Sequence, residues 1–179
     1  MDFKSRLSCS GKTTLATTLQ SFLFQENILA YALDGDQFRK GLSSDLDFSR
    51  EGRKENIRRI GEVAKLFLDA SLTTIVAFIS PFKKDRDRVR KPVKPGKFIE
   101  VYLDCPLEIC ESRDTKGLYK KARNNEIKDF TGISSPYEPP LSPELILHTD
   151  QETVEDDIQK ILTYLEGTNV FTPDKFKAY

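Results

Sequence analysis

A Gly-Lys-Thr tripeptide at the start of an amphipathic segment constrains the fold of this chain more than any other feature. The segment 8–14 reads SCSGKTT. Apolar residues follow it directly at helical spacing, at Leu15, Leu19, Phe22 and Leu23. This spacing predicts a helix that opens at Gly11 and runs to about residue 26. Backbone N–H groups at such a helix start point at anions, so the pattern indicates a phosphate-binding loop.

Strand-like and helix-like segments alternate along the rest of the chain. Short apolar runs predict strands over residues 28–33, 73–79, 98–103 and 145–148, and a further short strand over residues 1–5 precedes the loop. Helical spacing predicts helices over residues 51–70, 107–113 and 154–165, and the charged segment 83–97 begins helical. Parallel strands need crossover connections, so we expect a three-layer α/β sandwich with a mainly parallel, five-stranded sheet and helices on both faces.

Length, charge and cysteine content limit the possible functions. The 179 residues fit a single domain, 1–179, whose tail over about 167–179 is expected to be loosely held. The 28 basic residues balance 28 acidic ones, so no general field attracts nucleic acid. No apolar run reaches the roughly 18 residues of a membrane span, and three cysteines without CxxC pairs are typical of a reducing compartment. We expect a soluble, intracellular protein with no nucleic-acid or membrane partner.

The phosphate loop assigns roles to individual residues. In this motif the lysine, here Lys12, reaches the β- and γ-phosphates of a nucleotide, and Thr13 is a ligand of the accompanying Mg²⁺. The full GxxxxGK[ST] pattern has a further glycine, but this chain has Arg6 at that position. A helix start that contains Gly-Lys-Thr by chance is the alternative at this point.

Two carboxylates follow the next predicted strand. Asp34 and Asp36 flank Gly35, where one carboxylate can organise Mg²⁺ through water and the other can accept a proton from an incoming hydroxyl. An Asp-Gly-Asp turn is the alternative. Side chains suited to phosphate or sulfate oxygens come next, at Arg39, Arg53, Asn56, Arg58 and Arg59. Solvated helix faces are the alternative for about half of these.

Five long blocks of sequence resemble the adenylylsulfate kinases. They are LDGDQFRKGL (33–42), REGRKENIRRIGEVAKLF (50–67), FISPFKKDRD (78–87), CESRDTKGLYKKAR (110–123) and IKDFTGISSPYEPP (127–140). Several blocks in order are more specific than a phosphate loop, because unrelated kinases share the loop but not the acceptor-binding segments. The chain is identified on this basis as a member of the family, and DRDRVR and YEPPL resemble its plant-type members.

The resemblance implies an enzyme that transfers the terminal phosphoryl group of ATP, with Mg²⁺, to the 3′-hydroxyl of adenosine 5′-phosphosulfate (APS). The products are 3′-phosphoadenosine 5′-phosphosulfate (PAPS) and ADP, in sulfate assimilation. It also implies a P-loop kinase fold with a basic lid over about residues 113–130, and a homodimer. The expected location is the cytoplasm, with a plastid as the alternative if a targeting segment has been removed.

The resemblance further implies roles for individual side chains. The catalytic residues are Asp34 as the base, Asp36, Lys12 and Ser80. The ATP-binding residues are Ser8, Cys9, Ser10, Gly11, Lys12, Thr13, Thr14, Arg113 and Lys116. The acceptor-binding residues are Asp36, Arg39, Phe48, Arg53, Asn56, Ile79, Ser80, Pro81, Lys83, Leu118, Phe130 and Thr131. The metal ligands are Thr13 and Asp34.

Two of these assignments have alternatives. Ser80 aligns with a serine described in the family as a phosphoserine intermediate, but direct in-line transfer needs no covalent step, so a substrate contact is the expectation. Phe48 and Phe130 sandwich the acceptor adenine only if the fold brings them together, and plain core packing is the alternative.

The chain departs from the family pattern at several positions. Family loops read GLSGSGKTT, so Arg6 and Cys9 replace two glycines where backbone amides approach the phosphates. Ser71 and Asp129 also stand where glycine is usual, and Gln37 where asparagine is usual. Three hypotheses follow: an active kinase that tolerates Arg6 and Cys9, a noncatalytic regulatory domain that binds the acceptor but ATP poorly, and a kinase for another nucleotide or metabolite.

Overall fold

Strands and helices alternate throughout the computed structural model, which describes residues 2–5 and 7–168. The strands are β1 (Asp2–Ser5), β2 (Ala30–Asp34), β3 (Thr73–Phe78), β4 (Glu100–Asp104) and β5 (Leu145–His148). The helices are α1 (Lys12–Gln25), α2 (Gly35–Lys40), α3 (Arg50–Asp69), α4 (Lys83–Arg90), α5 (Leu107–Ser112), α6 (Leu118–Arg123) and α7 (Val154–Gly167). The predictions for Arg6 and for the tail beyond residue 168 lie outside the described residues.

The strands form one parallel sheet in the order β2-β3-β1-β4-β5. Its central strand is β1, in which Phe3 lies opposite Ala77 of β3 on one side and Val101 of β4 on the other. Because the strands are parallel, their carboxyl ends meet at one edge of the sheet. The predicted parallel α/β fold is confirmed, and this edge carries the phosphate loop after β1 and Asp34 at the end of β2.

Alternate residues of β3 contribute to the hydrophobic layers on the two faces of the sheet. Ile75 and Ala77 belong to the core cluster formed with α1 and α7. Val76 and Phe78 belong instead to the cluster formed with α3. Successive side chains of a strand point to opposite faces, so this division confirms a sheet covered by helices on both sides.

Two short helices occur where the sequence predicted none. Helix α2 directly follows β2, and Asp34 caps it, since its Oδ1 accepts hydrogen bonds from the backbone N–H of Asp36 at 2.9 Å and of Gln37 at 3.3 Å. Helix α6 lies in the predicted lid and buries Tyr119 and Ala122. Each helix has only six residues, which is too short for a helical period to show in the sequence.

None of the helices in residues 7–168 combines the length and the apolar character that crossing a membrane requires.

Replacing the buried Ile75 tests the layered core. Ile75 is fully buried, so Ile75→Ala leaves a cavity and lowers the free energy of unfolding by about 2–5 kcal/mol in urea titrations. The matched control is Ile146→Ala in β5, where the side chain is 48% exposed and the loss is below about 1 kcal/mol. Equal losses for the two variants would contradict the assigned orientation of β3.

Candidate active site

A cavity of about 650 Å³ opens at the carboxyl edge of the sheet. It brings together most of the residues that the sequence assigned to a site. They are Ser8, Cys9, Gly11, Lys12, Thr13, Thr14, Asp34, Asp36, Arg39, Phe48, Arg53, Asn56, Ile79, Arg113 and Lys116. Residues from the loops after β1, β2 and β3 therefore face one space, together with residues of the predicted lid.

Other predicted site residues lie outside this cavity. They are Ser10, Ser80, Pro81, Lys83, Leu118, Phe130 and Thr131. Ser10 is buried, and its backbone carbonyl accepts a hydrogen bond from Thr149 Oγ1 at 3.1 Å. Ser80 is 2% exposed and lines a separate apolar cavity beside α3, and the Lys83 ammonium pairs with Asp87 at 2.6 Å. The structure thus places Ser80 and Lys83 away from the phosphate loop.

Lys12 is held by its own loop. Its Nζ donates to the carbonyl of Leu7 at 2.7 Å and to Ser10 Oγ at 3.3 Å. Burial lowers the pKa of Lys12 to about 8, although nearby thiols and the carboxylates of Asp34 and Asp36 act in the opposite direction. A pKa near 8 leaves the side chain mainly cationic at neutral pH, as a partner for phosphate requires.

Thr13 and Asp34 are joined by a hydrogen bond. Thr13 Oγ1 donates to Asp34 Oδ2 at 2.7 Å, while Oδ1 of the same carboxylate caps α2. Both side chains offer oxygen atoms, the donors that Mg²⁺ prefers. No cluster of three or more His, Cys, Asp or Glu residues forms a metal cage in the described part of the chain. Mg²⁺ usually takes one or two carboxylates and completes its shell with water and phosphate oxygens, so Thr13 and Asp34 fit this ion.

The predicted lid segment contacts the segments that follow β1, β2 and β5. Lys116 Nζ donates to Asp36 Oδ2 at 2.8 Å, and Arg113 Nη2 donates to the carbonyl of Thr149 at 2.9 Å. Tyr119, which the sequence did not single out, is fully buried and donates its hydroxyl to the carbonyl of Ser8 at 2.9 Å. The predicted lid segment is therefore hydrogen-bonded directly to the phosphate loop.

Arginine and phenylalanine side chains form another part of the cavity wall. The Arg39 guanidinium lies 4.1 Å from the centroid of the Phe48 ring. Arg53 donates to the carbonyl of Phe48 at 2.9 Å and to that of Asp129 at 2.8 Å, which draws together the segments of the two predicted sandwiching rings. The ring of Phe130 packs edge-on against Tyr119, with centroids 5.0 Å apart. The segments that carry Phe48 and Phe130 are thus close, while the Phe130 ring packs against Tyr119.

Some charged candidates of the sequence lie elsewhere. Arg58 pairs with Glu55 at 2.7 Å, and Arg59 pairs with Asp45 at 2.6 Å. Neither guanidinium lines the cavity, so for these two the helix-face alternative applies.

The sequence did not predict one group of cavity-lining residues. They lie between β5 and α7 and at the start of α7: Thr149, Glu152, Thr153, Val154 and Asp157. The only sequence signal there is a helix start, because Thr153 and Asp156 form a capping box. A capping box predicts where a helix begins, but it does not indicate which side chains near that start line a cavity.

Three residues that replace family glycines adopt left-handed backbone conformations. The φ angles are 61° at Cys9, 63° at Ser71 and 54° at Asp129. Such angles favour glycine, because other side chains crowd the backbone there. The chain therefore keeps the glycine geometry at these positions despite the substitutions.

The strand order and the loop that precedes α1 define a kinase of the P-loop class, with Lys12 in that loop and carboxylates at the end of β2. A family model described as adenylylsulphate kinase matches residues 3–148. The chain belongs to the adenylylsulphate kinase family.

Individual relatives cover most of the chain. A probable adenylyl-sulfate kinase of Halalkalibacterium halodurans is 63% identical over 161 residues, which are 90% of this chain and 80% of the relative. The adenylyl-sulfate kinase of Geotalea daltonii is 53% identical over 168 residues, covering 94% and 83%. The solved Mycobacterium tuberculosis APS kinase CysC, in complex with AMPPNP and APS, matches with a TM-score of 0.86 and 42% identity over 92% of this chain and 96% of that one.

These relatives favour the kinase hypothesis over the noncatalytic one. They are bacterial, so the likeness to plant-type members finds no support among them.

Glycine substitutions test the left-handed conformation in the loop. Ser8→Gly, at a residue without a positive φ, lowers the free energy of unfolding by about 0.5–1 kcal/mol because glycine gains more freedom in the unfolded chain. Cys9→Gly loses less, or gains stability, because relief of about 1 kcal/mol of left-handed strain offsets this effect. Urea unfolding of both variants measures the difference, and equal losses would contradict strain at Cys9.

Proposed function

We propose that the chain transfers the terminal phosphoryl group of ATP to the 3′-hydroxyl of APS and releases PAPS and ADP. The observation that carries this proposal is the convergence of Lys12 and the Asp34–Asp36 pair in one cavity, between a phosphate loop and a wall of arginines and an aromatic ring. The adenylyl-sulfate kinases among its relatives support the same reaction.

The phosphate-loop side is the proposed ATP site. The N–H groups at the start of α1 and the ammonium of Lys12 bind the β- and γ-phosphates, with Arg113 and Lys116 approaching from the lid. The remaining residues assigned to ATP are Ser8, Cys9, Ser10, Gly11, Thr13 and Thr14. Thr13, and Asp34 through a water molecule, would hold Mg²⁺, which when bound neutralises charge on the phosphates.

The opposite wall is the proposed APS site. Arg39 and Arg53 can bind the phosphosulfate oxygens, and the exposed ring of Phe48 offers a face for the adenine. Asn56 is 6% exposed, and its Oδ1 has no donor among the described residues. A buried acceptor without a donor supports a ligand contact at this position.

Further acceptor contacts are proposed for residues of the neighbouring segments. Ile79 lines the cavity, whereas six other residues would need a closing movement to reach the substrate. They are Ser80, Pro81, Lys83, Leu118, Phe130 and Thr131.

The aspartate pair is proposed to handle the acceptor hydroxyl. Asp34, held in place by Thr13 and by the start of α2, accepts the proton of the 3′-hydroxyl as it attacks the γ-phosphorus. Asp36 orients the acceptor, so its ion pair with Lys116 opens when substrate enters. Lys116 is then able to stabilise negative charge on the transferring phosphoryl group, and the closed lid excludes water.

We also propose a single domain with its lid over about residues 113–130, a homodimer and a cytoplasmic location. The homodimer follows the family. The free thiols of Cys9, Cys105 and Cys110 support a reducing compartment.

Formation of PAPS tests the reaction. Purified chain incubated with MgATP and APS is expected to form PAPS, and far less product with AMP as the acceptor. Asp34→Asn keeps the shape but removes the base, so kcat falls about 100-fold or more. Asp69→Asn, at an exposed position outside the cavity, leaves kcat unchanged. No PAPS from the wild-type chain, or equal rates with AMP, would overturn the proposed function.

A second variant tests whether ATP and APS bind to separate walls of the cavity. Arg53→Ala removes a cation from the acceptor wall and raises the KM for APS about 10- to 100-fold, with a much smaller effect on the KM for ATP. Arg58→Ala, on the same helix but outside the cavity, is the matched control and changes neither constant. Initial rates with each substrate varied in turn give both constants. A larger effect of Arg53→Ala on ATP than on APS is incompatible with the assignment.

A further inference from the structure

The loop that joins β3 to α4, residues 79–82, is held at its far end by a side chain from another part of the chain. Phe82 stands at the N-cap position of α4, and its ring has no oxygen that could accept from the backbone N–H groups of the first turn. Glu138 supplies the acceptor instead, because its Oε2 accepts a hydrogen bond from the backbone N–H of Lys83 at 2.6 Å. The helix dipole also favours a carboxylate at this place. Glu138 therefore caps a helix start that lies 55 residues earlier in the sequence.

The backbone of Glu138 makes a second contact with the same loop. Its N–H donates to the carbonyl of Pro81 at 2.8 Å. A single hydrogen bond would leave the loop free to turn about it, whereas two hydrogen bonds from one residue fix both its distance and its orientation. Glu138 thus holds the loop in one position against the segment that follows the predicted lid.

The other end of the loop is held from within α4. Arg86 is 3% exposed, and its Nη1 donates to the carbonyl of Ser80 at 2.9 Å. The Nε atom of Arg86 lies 3.3 Å from Oε1 of Glu100, which is also buried. A buried ion pair therefore fixes the end of the loop next to β3, and Glu138 holds the end next to α4.

The segment that carries Glu138 is itself packed on the phosphate loop. It begins with a tight turn, in which the carbonyl of Phe130 accepts hydrogen bonds from the N–H groups of residues 133–135. Gly132, in this turn, lies so close to Leu7 that an added Cβ atom would overlap the Leu7 side chain. The carbonyl of Leu7 in turn accepts the hydrogen bond from Lys12. Segment 130–138 therefore extends from the phosphate loop to the loop after β3.

We propose that Glu138 is a positioning residue for the acceptor site. It couples the loop that contains Ile79 to the segment that begins at Phe130, so that both present their acceptor contacts as one unit. This inference rests on the proposed function for the identity of the acceptor, APS. Glu138 does not line the cavity, so it acts through the carbonyl of Pro81 and the N–H of Lys83.

Loss of the Glu138 carboxylate is expected to loosen the acceptor side of the cavity and to leave the phosphate side unchanged. Without the cap, binding of APS must also order the loop after β3, and this lowers the apparent affinity for APS. Lys12 and Thr13 keep their contacts, because their partners Leu7 and Asp34 lie outside that loop. The affinity for ATP is therefore independent of Glu138.

Initial rates of PAPS formation and amide hydrogen exchange test this role. Glu138→Ala is expected to raise the KM for APS about 3- to 10-fold, while kcat and the KM for ATP change less than about twofold. Glu138→Gln keeps an oxygen that can accept from the N–H of Lys83, so its KM for APS stays within about twofold of the wild-type value. Hydrogen exchange in residues 79–86 becomes about 3- to 10-fold faster in Glu138→Ala.

A double-variant cycle through Lys83 shows whether the hydrogen bond carries the effect. Lys83→Pro removes the N–H at the first position of α4, where proline is tolerated. Phe82 already has the extended backbone that a residue before proline requires, with φ −108° and ψ 131°. Lys83→Ala loses the same side chain but keeps the N–H. Adding Glu138→Ala is expected to raise the KM for APS in the Lys83→Ala background and to leave it unchanged in the Lys83→Pro background.

The matched control is Glu108→Ala, which removes an exposed acid from the first turn of α5, outside the cavity, and leaves both KM values unchanged. A merely structural role for Glu138 predicts a lower free energy of unfolding with unchanged KM values for the folded chain. That result overturns the positioning role, as do an equal rise in the KM for ATP, a Glu138→Gln variant as impaired as Glu138→Ala, or additive effects in the cycle.

Calorimetric binding of APS separates this inference from the proposed function. If the wild-type chain forms no PAPS, but Glu138→Ala still weakens APS binding and still accelerates exchange in residues 79–86, the proposed function alone is overturned. If the wild-type chain forms no PAPS and Glu138→Ala changes neither binding nor exchange, both are overturned.

Discussion

The hydrogen bond from Thr13 to Asp34 connects the two halves of the site, and it depends on the strand order. Thr13 follows β1 and Asp34 ends β2, yet these strands are not neighbours, because β3 lies between them. Thr13, Asp34 and Ile79, which follows β3, nevertheless all line the cavity at the carboxyl edge of the sheet. A parallel sheet with β1 at its centre thus brings a phosphate loop and a carboxylate together across an intervening strand.

Helices and strands with a clear apolar run or helical spacing could be predicted from the sequence. Very short helices and features that depend on tertiary contacts could not. The strand Leu145–His148 and the helix Arg50–Asp69 are apparent from apolar runs and helical spacing. Helix Leu118–Arg123 could not be predicted in this way, because it lies in a basic segment and its one large buried side chain is Tyr119. Asp157 could not be predicted as a site residue either, because only the packed structure shows that it lines the cavity.

The family resemblance extended the prediction of the site where residue chemistry alone left alternatives open. It assigned Arg39 and Arg53 to the acceptor, and both line the cavity, while Arg58, which lacked such an assignment, pairs with Glu55 on the helix surface. The resemblance also identified positions where this chain replaces a glycine of the family. Cys9 and Asp129 retain positive φ angles, so the backbone geometry persists and the cost is local strain. At Cys9 the phosphate loop therefore keeps a backbone conformation that favours glycine.

Two of the contacts made by the predicted lid segment, residues 113–130, differ in their energetic weight. Lys116 and Asp36 are 66% and 74% exposed, and an exposed ion pair contributes about 0–1 kcal/mol because water screens it. Tyr119 is fully buried, so breaking its hydrogen bond to the carbonyl of Ser8 would expose an aromatic ring as well as leave an unpaired hydroxyl. The Lys116–Asp36 pair is therefore the weaker of these two contacts, so the exchange proposed for Asp36 would cost little. The closing movement proposed above would leave the contact of Tyr119 with the phosphate loop intact.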